Sequence, residues 1–140
     1  MRIVLDTNCL IQSISPHSAY YAVWKSFMNG ENTLCVTNDI IEEYVEILQR
    51  LFGFRFAENV VKTIVNSPFV EFVTPYYQFH VIEADPDDNK FVDCAIAAVA
   101  RYIVSNDHHF DVLRHTVYPV VDVIVLDDFL KLLQQQNTVN

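Results

Sequence analysis

The 140-residue sequence is poor in several residue types, and each scarcity excludes a class of protein. Only 2 Gly and 5 Pro occur beside 51% hydrophobic residues, which argues against a disordered chain. The three cysteines are an odd number, lie far apart and sit in apolar segments, so they support neither a disulfide framework nor a Cys-x-x-Cys metal site. No apolar run approaches the roughly 20 residues of a membrane span. Asp6 interrupts the N-terminal apolar run too early for a secretory signal, so we expect a cytoplasmic protein.

Basic residues are scarce as well. The chain has 9 Lys and Arg against 18 Asp and Glu, and its net charge of -9 gives no electrostatic reason to expect non-specific binding to nucleic acid. Apolar residues are abundant instead, and 140 residues suffice for one domain with a substantial core. We therefore expect a single domain over residues 1–140, with an apolar excess that favours a partner surface.

Strand and helix patterns alternate along the chain. The apolar runs predict strands at 2–6, 33–37, 70–73, 102–105 and 121–125. Helix signals predict helices over 38–52, 55–66, 90–101 and 127–135, with a short helical turn near 108–114. A further helix is predicted with Ser15 as its N-cap, Pro16 at its first position and Gly30 after its end. The alternation predicts an α/β domain with a mostly parallel, helix-covered sheet.

This arrangement places four acidic side chains near one edge of the sheet. Asp6 and Asp107 follow predicted strands, and ligands bind outside the carboxyl ends of parallel strands. Asp93 lies in the helix before the strand 102–105. That helix descends about 12 Å after Asp93, and the strand climbs back about 13 Å, so Asp93 and Asp107 return to the same edge. Glu43 lies in the first half of the helix 38–52, near that edge again.

Each acid also has a purely structural interpretation. Asp6 and Asp107 could be helix caps or turn formers. Asp93 has apolar neighbours nearly all round it, so its carboxylate needs a partner or a cation there. In the helix 38–52, Glu46 falls opposite the apolar stripe, whereas Glu42 and Glu43 flank that stripe, so periodicity does not choose between the last two.

Four clustered carboxylates without basic partners would repel one another unless a cation were bound. Ligand sets made only of carboxylates suit Mg²⁺ or Mn²⁺. Such an ion commonly holds a phosphate and activates a water molecule for in-line attack. The pattern therefore indicates metal-assisted chemistry at a phosphate group.

Four segments together resemble PIN-domain ribonucleases, in particular bacterial toxins of type II toxin–antitoxin modules related to VapC. They are LDTN at 5–8, EEYVEIL at 42–48, DPDDNKFVDCAIAAVA at 85–100 and YIVSND at 102–107. The resemblance spans residues 2 to about 125 and implies a PIN-like three-layer α/β/α sandwich. It also implies a Mg²⁺- or Mn²⁺-dependent nuclease that acts on single-stranded RNA in the cytoplasm. Members are often homodimers inhibited by a co-encoded antitoxin.

The resemblance assigns roles to particular residues. It implies four catalytic and metal-binding acids: Asp6, Glu43, Asp93 and Asp107. It further implies that Asn8 and Ser105 orient ligands or water beside them. Asn106 stands where many members have a small residue, and Asp111 is a further acid outside the expected set.

Several other polar clusters have less specific patterns. The adjacent His108 and His109 lack any accompanying Cys or His spacing, so we expect exposed loop residues rather than ligands. The acids of the segment 83–88 lack the Gly and closing Glu of a calcium loop, and a solvated run that caps the next helix accounts for them better: Glu83, Asp85, Asp87 and Asp88.

Two surface features concern partners. A stripe on the first predicted helix is expected in the core or a homodimer interface: Tyr20, Tyr21, Trp24, Phe27 and Met28. Arg50, Arg55 and Lys62 are the best cluster for RNA phosphates, and ordinary solvated helix charges explain them equally well.

Two rival functions remain open. The first is a phosphoryl-transfer domain with a strand-end Asp nucleophile, but the second Asp of haloacid-dehalogenase-like enzymes is replaced by Asn8, and no Lys fits a receiver domain. The second is a catalytically silent PIN-like binding module, which the net charge of -9 would allow.

Overall fold

Five parallel strands form the sheet of this computed structural model, which describes residues 1–82, 86–115 and 120–139. The strands are β1 (Arg2–Leu5), β2 (Thr33–Val36), β3 (Val70–Phe72), β4 (Tyr102–Val104) and β5 (Val123–Ile124). Their order across the sheet is β3-β2-β1-β4-β5, and every described pairing is parallel. The central strand β1 is strongly apolar because both of its faces are covered, and Ile3, Val4 and Leu5 are fully buried.

Helices cover the sheet. They are α1 (Thr7–Ser13), α2 (Tyr21–Met28), α3 (Asn38–Phe52), α4 (Phe54–Asn66), α5 (Asn89–Ala98) and α6 (Leu126–Val139), with 3₁₀ turns at Pro86–Asp88 and His108–His115. Helix α2 packs against α1 and α6, α3 packs against α4, and α5 lies on β1, β2 and β4. The predicted three-layer α/β/α sandwich with a mostly parallel sheet is confirmed. No helix in the described part of the chain has the length and apolar character needed to cross a membrane.

The strand order reverses direction at β1. The chain moves from β1 outward to β2 and β3, then returns to β4 on the other side of β1. A crevice forms at such a switch point, outside the carboxyl ends of the two strands that flank it. Asp6 directly follows β1, and Ser105 directly follows β4, so both residues lie at the switch point.

The prediction for the first helical region is wrong. The chain forms α1 directly after β1, because Asp6 caps this helix and accepts a hydrogen bond from the backbone N–H of Thr7. Ser15 caps no helix. Its hydroxyl accepts from the N–H of His17 within a turn, and α2 begins only at Tyr21.

Four of the five residues in the aromatic stripe predicted on that helix lie in the core or against it, and Tyr21 is partly exposed. Phe27 is fully buried and stacks on Phe129 with ring centroids 6.3 Å apart. Tyr20, Trp24 and Met28 are partly buried and pack against the same core. The stripe therefore joins α2 to α6 within one chain.

Candidate active site

Asp6 is buried at the carboxyl end of β1, and both of its carboxylate oxygens accept hydrogen bonds. Its Oδ1 accepts from the N–H of Thr7 at 2.7 Å, and its Oδ2 accepts from the hydroxyl of Ser105 at 2.7 Å. Burial raises the pKa of Asp6, the two hydrogen bonds oppose that shift, and the charges of Glu43 and Asp107 add to it. Asp6 is thus a helix cap and also an acid within the field of two other carboxylates.

Ser105 connects Asp6 to the loop that carries Asp107. Its buried hydroxyl donates to Asp6 and accepts from the N–H of Asp107 at 3.0 Å. Asp107 in turn accepts at Oδ1 from the N–H of His109 at 2.9 Å, which begins the 3₁₀ turn that follows. One hydroxyl therefore fixes the relative positions of two of the predicted acids.

These residues open onto a cavity of about 330 Å³, which we call the switch-point cavity. Its lining residues are Asp6, Asn8, Ile11, Gln12, Leu51, Asn106 and Asp107. Asn8 is exposed at the wall of this cavity, beside Asp6. A smaller hollow of about 120 Å³ lies next to it and includes Asp107 and Asp111.

Glu43 reaches the same region from α3. The hydroxyl of Thr7 donates to its Oε2, and Thr7 adjoins Asp6 in the chain. Glu46 is exposed and pairs with Arg50 at 3.0 Å on the solvent side of α3, and Glu42 is exposed as well. Of the three glutamates in this helix, Glu43 is the one whose charge acts on Asp6.

The expectation that the acids have no basic partner is wrong. The ammonium of Lys90 lies 2.9 Å from Oε1 of Glu43, and the two side chains are only 20% and 23% exposed. Burial alone lowers the pKa of Lys90, but the hydrogen bond and charge of Glu43 outweigh that effect, and the pKa is raised. Lys90 therefore stays charged and neutralises Glu43.

Asp93 lies apart from the other three predicted acids. It is 8% exposed, its Oδ1 accepts from the N–H of Phe79 at 3.1 Å, and burial raises its pKa. Within the described part of the chain, no hydrogen bond or ion pair joins Asp93 to Asp6, Glu43 or Asp107. The partner that a buried carboxylate requires is thus supplied by the backbone of the segment after β3.

Asp93 and Glu43 share a second cavity of about 440 Å³, which we call the acidic cavity. Its lining residues are Asp39, Glu42, Glu43, Glu46, Gln78, His80, Pro86, Asp87, Asn89, Lys90 and Asp93. The structure therefore brings Asp6, Glu43 and Asp107 into one electrostatic group, whereas Asp93 is linked to this group through the cavity that it shares with Glu43.

Asp88 stands at the N-cap position of α5, where its side chain makes no capping hydrogen bond, but the prediction that it is solvated is wrong, because this residue is only 8% exposed. Its Oδ2 lies 3.2 Å from Nδ1 of His109, and the same nitrogen lies 3.4 Å from Oδ1 of Asp107. Ligand atoms of Asp88, Asp107 and His109 all lie within 4.8 Å of one another, so they could hold a metal ion. His109 is half-exposed, as a loop residue should be, but it belongs to this group.

A signal for Asp88 was present in the sequence. It is the N-cap of α5, and the start of that helix lies at the carboxyl edge of the sheet. Asp93 lies further along the chain, about 7.5 Å down the helix axis. The geometric argument selected Asp93 because the predicted helix ran to residue 101; since α5 ends at Ala98, the descent from Asp88 is about 15 Å, close to the climb of about 13 Å along the strand.

The remaining predicted features have simple surroundings. Asp87 is exposed on the acidic cavity, and Glu83 and Asp85 lie outside the described residues. Arg50 and Lys62 form exposed pairs with glutamates on their own helices, at 3.0 Å each. Arg55 is exposed and has no ion-pair partner among the described residues.

The donor atoms at the switch point fit a divalent metal ion. Carboxylate oxygens suit Mg²⁺ and Mn²⁺, and an imidazole nitrogen favours transition metals, so the combination of Asp88, Asp107 and His109 fits Mn²⁺ at least as well as Mg²⁺. Asp6 adds a carboxylate held next to Asp107 by Ser105.

Comparison with known proteins places the chain in a family. Residues 2–109 match the family model described as PIN domain. No protein with a curated description matches the sequence. The fold is similar to VapBC2 from Rickettsia felis, solved bound to a promoter DNA fragment, with a TM-score of 0.63 and 16% identity over 89% of this chain and 98% of the other.

Two further structures share the fold. VapC20 from Mycobacterium tuberculosis, a Sarcin-Ricin loop cleaving toxin, has a TM-score of 0.55 and 16% identity over 78% of this chain and 92% of its own. The PIN domain endonuclease Utp24 has a TM-score of 0.53 and 12% identity over 89% of this chain and 84% of its own. At these identities the structures establish similarity of fold, and the family match covers most of the sequence. The chain belongs to the PIN domain family.

Proposed function

We propose that this protein is a metal-dependent endoribonuclease that cleaves phosphodiester bonds of single-stranded RNA. The observation that carries the proposal is the convergence of acids from separate elements at the switch point of the sheet. Asp6 and Asp107 are joined by one hydroxyl, and Glu43 acts on Asp6 through its charge. Proteins of the same fold include a toxin that cleaves the Sarcin-Ricin loop and a PIN domain endonuclease.

The residues that would hold Mg²⁺ or Mn²⁺ are Asp6, Asp88, Asp107 and His109. When bound, such an ion polarises a phosphate oxygen and lowers the pKa of a coordinated water molecule. The protein contributes by positioning the acidic side chains. Ser105 fixes the carboxylate of Asp6 through one oxygen, and its hydrogen bond to the backbone N–H of Asp107 fixes the loop that carries that acid. The hydroxyl of Thr7 donates to Glu43, whose charge acts on Asp6.

Two residues are candidates for the fourth acid of the metal site. Asp93 is the residue implied by the resemblance, and Asp88 is the residue whose oxygen lies close to Asp107. We assign the ligand role to Asp88 and keep Asp93 as an acid of the neighbouring cavity. Single variants Asp88→Asn and Asp93→Asn separate the two assignments.

Cleavage of 5′-labelled single-stranded RNA tests the activity, with Mn²⁺, Mg²⁺ or EDTA present. We expect cleavage with either ion and none in EDTA. Asp6→Asn, Asp88→Asn and Glu43→Gln should each lower the rate by about 100-fold or more, since these side chains place the reacting groups. Glu46→Gln is the matched control because it removes an exposed charge from the same helix as Glu43.

Three results would change the proposal. Full activity of Asp88→Asn with loss of activity in Asp93→Asn would restore Asp93 as the fourth ligand. Wild-type protein that binds metal and RNA without cleaving would favour the catalytically silent binding module. A label that transfers to the protein would favour a phosphoryl-transfer domain, although both oxygens of Asp6 already accept hydrogen bonds.

We further propose that the protein is the toxin of a toxin–antitoxin pair, acts in the cytoplasm and forms a homodimer. Similarity to VapBC2, which was solved as a complex, supports an antitoxin partner. Contact with RNA must rely on local charge, since the net charge is -9, and the exposed Arg55 beside α3 is the best candidate. Arg55→Glu should weaken RNA binding and reduce its dependence on salt. An unchanged salt slope would contradict this role.

A further inference from the structure

The acidic cavity contains a marked imbalance of charge. Six of its lining residues are carboxylates: Asp39, Glu42, Glu43, Glu46, Asp87 and Asp93. Lys90 is the one lysine or arginine side chain among its described lining residues. Mutual repulsion of so many acids around one space is unfavourable unless positive charge is present, so the position of Lys90 has consequences for the whole cavity.

Lys90 is held at this position against a local preference. It is the second residue of α5, and the N-terminus of a helix carries positive partial charge that disfavours a cation. Its side chain is nevertheless four-fifths buried, and its ammonium lies 2.9 Å from Oε1 of Glu43. Glu43 is in turn fixed from the other side by the hydroxyl of Thr7. The ion pair therefore spans the boundary between the acidic cavity and the switch point.

We propose that Lys90 is a resident cation that takes the place of a second divalent ion, so that the protein binds one divalent ion rather than two. The inference rests on the proposed metal site at Asp6, Asp88, Asp107 and His109 for the first ion. Many enzymes that act on phosphodiesters use two ions about 3.5–4 Å apart. Here the carboxylate that would face the second ion, Glu43, is already neutralised by Lys90.

An ammonium group can replace only part of what a metal ion does. It is a compact point charge with three N–H donors, so it can neutralise a carboxylate and donate to a phosphate oxygen. It does not bind water as a ligand. Lys90 thus cancels the charge of Glu43 and offers N–H donors to an RNA phosphate, on a chain with a net charge of -9, and leaves the activation of water to the single ion.

Counting bound Mn²⁺ by calorimetry and by electron paramagnetic resonance tests this inference without measuring activity. We expect one ion per wild-type chain and two per chain in Lys90→Met, because Glu43 then faces the cavity without its counter-ion. Lys90→Arg keeps the charge and should bind one ion. Lys90→Met combined with Glu43→Gln should return the count to one, because the second ion loses its carboxylate.

Two further variants serve as controls for the number of bound ions. Lys131→Met removes an exposed lysine of α6 whose side chain is 71% exposed, and it should leave the count at one. Lys90→Gln keeps a hydrogen-bond donor for Glu43 without charge, so it should bind two ions even if Lys90→Met fails to fold.

The outcomes separate this inference from the proposed function. Two ions on the wild-type protein would overturn the role of Lys90 and leave the metal dependence intact. One ion on the folded Lys90→Met or Lys90→Gln variant would overturn it as well. A wild-type protein that binds no ion would overturn both the metal site and this inference.

Discussion

Replacing Asp6 by asparagine should make the metal-free protein more stable, although it removes a group needed for activity. Asp6 is 7% exposed and lies in the field of Glu43 and Asp107, and these conditions raise its pKa. At neutral pH the wild-type protein keeps a desolvated charge beside two others. The introduced amide has nearly the same shape as the carboxylate and could still accept from the N–H of Thr7, the bond that measures 2.7 Å to Asp6.

The free energy of unfolding should rise by about 1 kcal/mol, within the range of about 0.5–2 kcal/mol for single stabilising replacements. A functional site that is itself destabilising is a place where such a replacement is expected. This gain is a net value. The amide N–H of the asparagine must donate to the hydroxyl oxygen of Ser105, which already accepts from the N–H of Asp107, and this arrangement costs about 0.5–1 kcal/mol. For a chain of 140 residues this gain corresponds to a rise in Tm of about 3 °C.

Bound Mn²⁺ should make the wild-type protein more stable than Asp6→Asn, the reverse of the order in EDTA. At a free Mn²⁺ concentration of about ten times Kd, binding stabilises the wild-type protein by RT ln 11, which is about 1.4 kcal/mol. Asp6→Asn has lost one charged ligand and should gain much less. The variant should therefore melt above the wild type in EDTA and below it in Mn²⁺.

Thermal melts in EDTA and in a Mn²⁺ series measure both effects. Asp122→Asn is the control, because Asp122 is exposed and pairs with Arg101 at 2.7 Å on the surface, away from the acids of the switch point. Its effect should stay within about 1 kcal/mol and should not depend on metal. The reasoning fails if Asp6→Asn is less stable than wild type in EDTA at neutral pH, or if Mn²⁺ shifts both proteins equally.

The same contacts predict three further outcomes. Burial raises the pKa values of Asp6 and Asp93 above their ordinary value of 3.8, so the stability that these acids contribute is fully present below that pH and is lost as the pH rises through their pKa values in the folded protein. In urea titrations with EDTA, the stability advantage of the double asparagine variant over the wild type should therefore grow as the pH rises from the acidic range to neutrality. A stability advantage that does not depend on pH would contradict the raised pKa values. Tyr44→Phe should cost about 1–2 kcal/mol in the same titrations, because the buried tyrosine hydroxyl donates to the carbonyl of Leu5, and an unchanged midpoint would argue against that bond. Ser105→Ala should lower RNA cleavage about 10–100-fold while Mn²⁺ binding persists, and an equal loss of both would indicate a collapsed site instead.

Local signals in the sequence determined the bounds of those elements whose capping residues are their immediate neighbours in the chain. Helix α3 has the predicted bounds, because Thr37 caps it by accepting from the N–H of Ile40 and Gly53 ends it with a φ of 90°. The alternation of such segments also determined the parallel, helix-covered sheet.

The N-terminal helices show where local signals conflict. Asp6 and Ser15 are both good caps in the sequence, and nothing near them in the chain decides between them. The choice depends on distant packing, since α2 must place Phe27 against Phe129 near the other end of the chain. The structure uses Asp6 and leaves Ser15 in a turn.

The sequence by itself determined that acids follow β1 and β4, because the end of an apolar run is visible in the residues. Only the tertiary structure decided which other side chains meet them. The contact of Asp88 with His109 and the ion pair of Lys90 with Glu43 join residues from different elements. Such contacts depend on how each helix is rotated and shifted on the sheet. About 7.5 Å along the axis of α5 separates Asp88 from Asp93, and a periodic pattern does not encode where along the sheet the helix begins and ends.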